Sequence, residues 1–382
     1  MTVEWDPRGM DAIRDPYHAG DAQRKRCPVA VSGDRQWTLF RHADVLRAAT
    51  DSHAFSNNVS TRLNVPNGMD PPEHTAFRRI IDLYFTPDRI AAFEPLCRKI
   101  TRDLAEALPR EQDVDVVAVF AEPFAVRIQC AFTDWDTEAG DALRLWVQRN
   151  HEATRAQDPV AMRSVSESFS NHVTAQVERH RNGETSGSDN VISRLLRERV
   201  NGRLLRDEEI VSILRNWTAG EMATIVAAVG ILALFLAQNT DIQTQLRRDP
   251  SLIPQANDEI LRIVGPLATN RRVAKDMVCL NHRQIVAGDK IHLNWIAANR
   301  DAEAFDEPTV FRFGRNPQNN LLYGAGIHVC PGAPLARMEL QMVVEELLRV
   351  SGSIRPAEHS LPEPAAYPSS GFVMLPLRFE MK

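Results

Sequence analysis

Cys330 stands in the run Tyr323-Gly324-Ala325-Gly326-Ile327-His328-Val329-Cys330-Pro331-Gly332, where glycines recur too closely for regular helix or strand and suit a tightly folded loop. Immediately downstream, Ala333 to Val350 returns to a helical apolar rhythm through Leu335, Met338, Leu340, Met342, Val343 and Leu347. The cysteine therefore precedes a helix N-terminus, where the macrodipole and free N–H groups favour the thiolate, the form that ligates metal. A buried structural cysteine after a glycine turn is the other reading of the same residues. Two more groupings have spacing with chemical content. His74 and Arg78 lie on one face of a helix led in by Asp70-Pro71-Pro72-Glu73, either as two donors for a single anion or as a solvated basic patch. Glu259 and Arg262 are spaced at i,i+3, which by itself reads as a surface ion pair.

The chain that positions these residues has 382 of them, a net charge of -5 and five cysteines, an odd number without paired metal spacing. That usage argues for a reducing cytoplasm and against a disulfide framework. The mild negative charge makes bulk nucleic-acid binding an unlikely role. Met1 to Asp15 carries charges throughout and has no apolar core, so it reads as neither signal peptide nor anchor. No linker or internal repeat divides the chain, and one large domain over residues 1–382 is the expected organisation.

Helical periodicity dominates. Short strands are expected at Val29 to Val31 and Trp37 to Phe40, followed by a helix around Ala43 to Ala49. Phe55 to Met69 is polar and turn-rich and reads as a long mobile loop of the kind that carries binding function. Ile100 to Leu108, Ala142 to Thr154 and Ser164 to His180 are helical. The longest helical pattern opens with Asp207-Glu208-Glu209 and runs to about Gln238. Its apolar stretch, Met222 to Ala237, falls short of the roughly 20 residues needed to span a bilayer, so it reads as a core helix. Val273-Ala274 begins a strand, and Tyr367 to Glu380 reads as a hairpin turning at Ser369-Ser370-Gly371.

The loop around Cys330 resembles the heme-ligating loop of the cytochrome P450 family, with Tyr323, Gly324, Gly326, His328, Cys330 and Gly332 matching its places in order. Four more regions agree: Asp70 to Arg79, Thr218 to Thr224, Glu259 to Arg262 with Arg315, and Ala298 to Asp301. The resemblance implies a mainly α fold with minor β-sheet, a small β-containing lobe from residues 25–65 and 267–295, and heme b (iron protoporphyrin IX) bound through the Cys330 thiolate. It implies heme-propionate contacts from His74, Arg78, Arg272 and His328, with Arg79 facing the other way. Glu259, Arg262 and Arg315 become a structural triad. Residues 141–182 become the pair of helices roofing the substrate pocket, so that Trp146, Met162 and Phe169, with Phe372 and Val373 of the hairpin, are candidate substrate contacts.

Ala219 and Gly220 match the oxygen-binding segment of the long helix, at a local widening beside the heme. There the sequence departs from the family, since Met222 holds the place of the acid and Ala223 that of the threonine. Glu221 and Thr224 each lie one position away, which is about 100° around a helix, and are the candidates for proton delivery. Pro331 is a second departure, because a proline offers the sulfur no N–H. The implied activity is insertion of one oxygen atom of dioxygen into a small or medium-sized organic substrate. No flavin or nicotinamide fingerprint follows the loop, so electrons are expected from a separate ferredoxin and its reductase, docking on Arg78 or Arg79, Arg89 and Arg337. A peroxide-driven heme-thiolate enzyme and a non-catalytic heme-binding sensor are the alternatives.

Overall fold

In the computed structural model, which describes residues 3–32, 36–135, 137–156, 158–183, 190–367 and 369–381, the longest apolar pattern forms one continuous helical track from Asp207 to Gln238. In chain order the helices that matter for the site are α1 (His42–Thr50), α2 (Glu73–Ile81), α3 (Pro87–Glu106), α4 (Glu122–Thr133), α5 (Thr137–Ala156) and α6 (Pro159–Arg181). They are followed by α7 (Asp207–Gly220), α8 (Val226–Gln238), α9 (Ile253–Ile263) and α10 (Ala333–Val350). The fold is mainly α with minor β, as the periodicity and the resemblance lead one to expect.

The track starts where Glu209 turns back to accept from the Arg206 backbone N–H at 2.8 Å, satisfying an orphan donor of the first turn. It is long and apolar enough to cross a membrane, with a mean hydropathy of 2.1. Yet α8 buries Val226, Val229, Ile231, Leu232, Ala233 and Leu236 all round its circumference, as a core helix does. Between α7 and α8, Glu221 to Ile225 forms a π-helical turn. A π turn carries one residue more than an α turn, so the helix widens there and its hydrogen-bond ladder loosens.

A five-stranded sheet flanks the helices. Its strands are β1 (Val29–Val31), β2 (Gln36–Leu39), β3 (Phe55–Ser56), β4 (Thr269–Ala274) and β5 (Lys290–Asn294), in the order β1-β2-β5-β4-β3. Pairing β5 in parallel with β2 and antiparallel with β4 brings Arg272, from the middle of β4, opposite Ile291. The C-terminal hairpin differs from expectation. Phe372–Met374 pairs with Glu363–Pro364, upstream of the expected segment, while Pro376–Glu380 joins Ser353–Pro356 and Asp113–Asp115 in a separate sheet.

Phe55 to Met69 also differs from the mobile loop expected of its composition. Ser212 of α7 accepts from the Val65 N–H at 2.9 Å, and Asn216 donates to the Val65 carbonyl at 2.8 Å. Arg215 reaches the Leu63 carbonyl at 2.6 Å, and Arg62 bonds Ser166 and Ser170 of α6. The segment is a strap tied to two helices.

Glu259 and Arg262 form a buried pair, with Arg262 only 1% exposed. Arg262 meets both Glu259 oxygens at 2.8 and 3.0 Å and donates to the Asn299 carbonyl at 2.5 Å, while Arg315 reaches Glu259 at 2.7 Å. Asn299 in turn accepts the Leu321 N–H at 2.8 Å, linking the triad to the approach of the cysteine loop. Removing one partner leaves an uncompensated charge in the core, at about 3–5 kcal/mol. Arg262→Ala is therefore expected to lower the stability measured by urea unfolding by about that amount. Wild-type stability in that variant would show the triad to be superficial.

Candidate active site

Gly324 and Gly326 adopt positive φ of 76° and 70°, the left-handed region that favours glycine. A Cβ on Gly326 would stand 2.9 Å from the Ala49 carbonyl oxygen of α1, so only glycine lets the loop lie against that helix. The Cys330 N–H donates to the Tyr323 carbonyl at 2.9 Å, closing the loop just before α10. Tyr323 is held from outside by the Arg337 guanidinium, 4.5 Å from its ring centre and anchored on Asp258 at 3.0 Å.

The Cys330 side chain is accessible, yet burial is the largest influence on its thiol and pushes the pKa up, as befits a group at the bottom of a recess. The N–H groups of Gly332 and Ala333, with the Arg78 and Arg337 charges, offset part of that rise. Pro331 withholds one donor, but the next two residues supply theirs.

Near the cysteine loop lies a group of buried histidine nitrogens without partners, with two arginines beside them. The His74 and His328 rings face each other with centroids 4.2 Å apart, and both His74 nitrogens and the His328 Nε2 are buried without a hydrogen-bond partner. Burial, then the neighbouring His74 and Arg272, holds the His328 imidazole down at about 3. Burial also holds His74 below its ordinary value, aided by Arg78. Arg272 is 5% exposed, its one hydrogen bond among the described residues goes to the Arg271 carbonyl, and burial lowers it to about 10. Arg78 is half-buried, bonded to Asp82 at 2.5 Å and to the Ile327 carbonyl at 3.1 Å, whereas Arg79 is exposed. Convergent cations and donors with depressed basicity fit a ligand bearing carboxylates, whose charge would relieve each of these shifts.

The π turn leaves open space beside the long helix. A Cβ on Gly220 would meet nothing within 4 Å, and Ala223 is exposed although its helix lies in the core. A flat group can lie against that face. Met222 is 5% exposed and packs into the core, so the place expected to hold an acid points away from the recess. Thr224 donates to the Gly220 carbonyl at 2.8 Å, taking an acceptor of the loosened ladder. Glu221 has one oxygen buried without a partner, and its pKa is raised first by burial and then by Glu339 of α10. Reading the sequence alone overlooks Glu339. The signal was present, because Glu339 falls four residues after Leu335 and three before Met342, on the apolar stripe of its helix.

The hairpin tip abuts the same helix. Gly371, at φ 81°, sits where a Cβ would stand 2.9 Å from the Ala227 Cα, and Phe372 lies against Gly230. Trp146 and Phe169 stack on each other at 4.4 Å and line a cavity of about 170 Å³ between α5 and α6, whereas Met162 is 44% exposed.

A glycine loop presenting an accessible cysteine, a cluster of buried groups that fits carboxylates and a core helix widened by a π turn are the features the described residues bring to the site. The cytochrome P450 family profile matches residues 155–382. Among curated proteins, the chain is 30% identical to cytochrome P450 CYP107DY1 of Priestia megaterium, over 81% of this chain and 76% of that one. It is 28% identical to the cyclomarin C epoxidase CymV of Salinispora arenicola, over 82% of each. Its fold matches CYP109E1 of Bacillus megaterium in complex with corticosterone, with a TM-score of 0.85, 25% identity, and 96% of this chain and 99% of that one covered. A mutant of P450 EryK in complex with erythromycin B matches with a TM-score of 0.86 and 26% identity, over 96% of each chain. The chain belongs to the cytochrome P450 family and is a heme-thiolate monooxygenase, an oxidoreductase.

The depressed histidines give a test of the cradle. His328 titrates at about 3 when folded against an ordinary 6.5, so on acidification the unfolded chain takes up the proton first. Heme-free protein should therefore lose stability as pH falls from about 6.5 towards 3, and carboxylates bound beside His328 should oppose the loss by favouring the imidazolium. The expected result is a urea midpoint that drops between pH 7 and pH 5, drops less when heme is bound, and drops less in His328→Gln. Identical pH dependence in all three would contradict the assignment.

Proposed function

We propose that the protein binds heme b with Cys330 as the axial thiolate, and that His74, Arg78, Arg272 and His328 hold the heme propionates. The observation that carries this reading is the convergence of buried, unpartnered donors next to an accessible cysteine. Tyr323, Gly324 and Gly332 would shape the loop that holds the heme, and Ala219 and Gly220 would supply the stretch of the long helix that receives it. Bound there, heme supplies the activation of dioxygen and the transfer of one oxygen atom. The protein's own part is to hold the sulfur as thiolate, neutralise the propionates, exclude bulk water and bring protons to the widened turn, with Glu221 and Thr224 as the candidate groups.

The substrate is proposed to be a small or medium-sized organic molecule, enclosed by the strap at Phe55 to Met69, the pair α5 and α6, and the hairpin tip with Phe372 and Val373. The relatives support that class, since one is named for epoxidation of cyclomarin C and others hold erythromycin B or corticosterone. Electrons are proposed to come from a ferredoxin and its reductase, docking near the exposed Arg79 and Arg337 with Arg89. Arg78 is occupied inward. The protein is proposed to act in the cytoplasm, with the whole chain as one unit.

Peroxide-driven turnover is the second reading, favoured by Ala223, which brings no hydroxyl to the recess. Reduced, CO-treated wild type is expected to give the thiolate-type difference spectrum and Cys330→Ser to lose it. Turnover with NADH, ferredoxin and reductase should exceed turnover with peroxide alone. An unchanged CO spectrum in Cys330→Ser would overturn the ligand assignment, and turnover with peroxide only would overturn the electron-donor assignment.

A further inference from the structure

The cavity of about 170 Å³ between α5 and α6 is lined, among the described residues, by these two helices alone. The cysteine loop, the π turn, the strap and the hairpin tip contribute nothing to its walls. On α6 its lining residues, Ser164, Val165, Ser168, Phe169 and His172, share one flank of the helix. Ser166 and Ser170, which bond Arg62 of the strap, lie on the other flank, about 150° around the axis. The cavity is therefore separate from the recess at the cysteine. It opens to solvent past Leu145, Arg149, Ser164 and Ser168, all of them exposed.

Its inner wall is aromatic and apolar. Trp146 and Phe169 stack with their planes 25° apart, and the buried Leu143 and Val165 lie beside them. A void of this size with such walls holds one ring, since an engineered apolar cavity of about 150 Å³ takes up benzene. Two polar features limit which ring. The Trp146 Nε1–H is buried and has no acceptor, an unfavourable state for an indole that an occupant of the cavity can relieve. Arg149, three residues on and so on the same face of α5, stands at the mouth without an ion pair among the described residues. A carboxylate is the group that satisfies an N–H and a guanidinium together.

We infer that the cavity between α5 and α6 is a second binding site of this protein, for a small molecule with one aromatic ring and one carboxylate. The ring packs against Trp146 and Phe169, and the carboxylate accepts from the Trp146 N–H and faces the Arg149 charge. No group at the cysteine takes part, so the site stands or falls independently of the heme-thiolate reading.

The test titrates heme-loaded enzyme carrying isotope-labelled tryptophan with para-fluorobenzoate and follows the indole N–H signals of its six tryptophans by NMR. Trp146→Phe, which keeps a ring and loses the N–H, identifies the Trp146 signal by its absence. That signal is expected to move and saturate while the heme Soret band stays still. Affinity, read from the fluorine signal of the ligand, should fall about tenfold in Trp146→Phe and in Arg149→Gln. Fluorobenzene, which lacks the carboxylate, should bind wild type about tenfold more weakly than para-fluorobenzoate does. Ala142→Leu on α5 and Ser168→Leu on α6 fill the cavity from opposite walls and should each abolish binding; if one fails to fold, the other decides. A Trp146 signal that does not move, or binding that survives the filling variants, would overturn the inference. Equal affinity for the two probes would remove the carboxylate from it, and a Soret shift that tracks the titration would place the ligand at the cysteine instead; either result also overturns it.

Discussion

His74, His328 and Arg272 are buried together, the His74 nitrogens and the His328 Nε2 without a partner and Arg272 bonded only to the neighbouring Arg271 carbonyl among the described residues, and this concentration of poorly satisfied polar groups is the constraint on which the rest of the structure depends. Three elements distant in sequence supply them: α2, β4 and the cysteine loop. Burial in a low-dielectric interior disfavours the charged forms, and for His328 the neighbouring His74 and Arg272 add to it, which is why His328 and Arg272 are less basic than their ordinary values. Packing holds the arrangement, and anionic carboxylates would relieve it. The Cys330 thiol feels the Arg78 and Arg337 charges, which favour its thiolate.

That packing is traceable. Gly326 permits the loop to rest on α1, Arg262 binds α9 to Asn299, and Asn299 accepts from Leu321 at the start of the loop. Asp301, two residues on, accepts the His42 N–H at 2.8 Å and so returns the chain to the beginning of α1. The buried ion pair is thus one link in a ring of polar contacts around the cysteine loop. Such a ring adds little to stability when intact, and its loss exposes charges that the core cannot solvate.

Local features were legible in the sequence. The glycine spacing, the cysteine, the His74 to Arg78 interval and the long apolar helix each follow from backbone freedom or periodicity. Features set by distant partners were not. Nothing near Val65 reveals that Ser212 and Asn216 will tie it down, so a polar, turn-rich segment reads as mobile when it is a strap. The pairing of Phe372–Met374 with Glu363–Pro364 was misplaced because strand periodicity does not name the partner. The widening of the long helix near Ala219 and Gly220 was implied by the resemblance and not by periodicity, and it takes the form of a π turn, whereas Glu339 hides in a stripe where a single acid among apolar residues is easily read as a solvated position.

Iron K-edge absorption on the ferric, heme-loaded protein tests the central claim, that the Cys330 sulfur is the ligand to which the buried donors and the widened helix are fitted. The account predicts one sulfur scatterer beside the porphyrin nitrogens, present in wild type and replaced by a lighter atom when Cys330 is changed to serine. A first shell of nitrogen and oxygen alone in wild type, or a sulfur that survives the substitution, would contradict it.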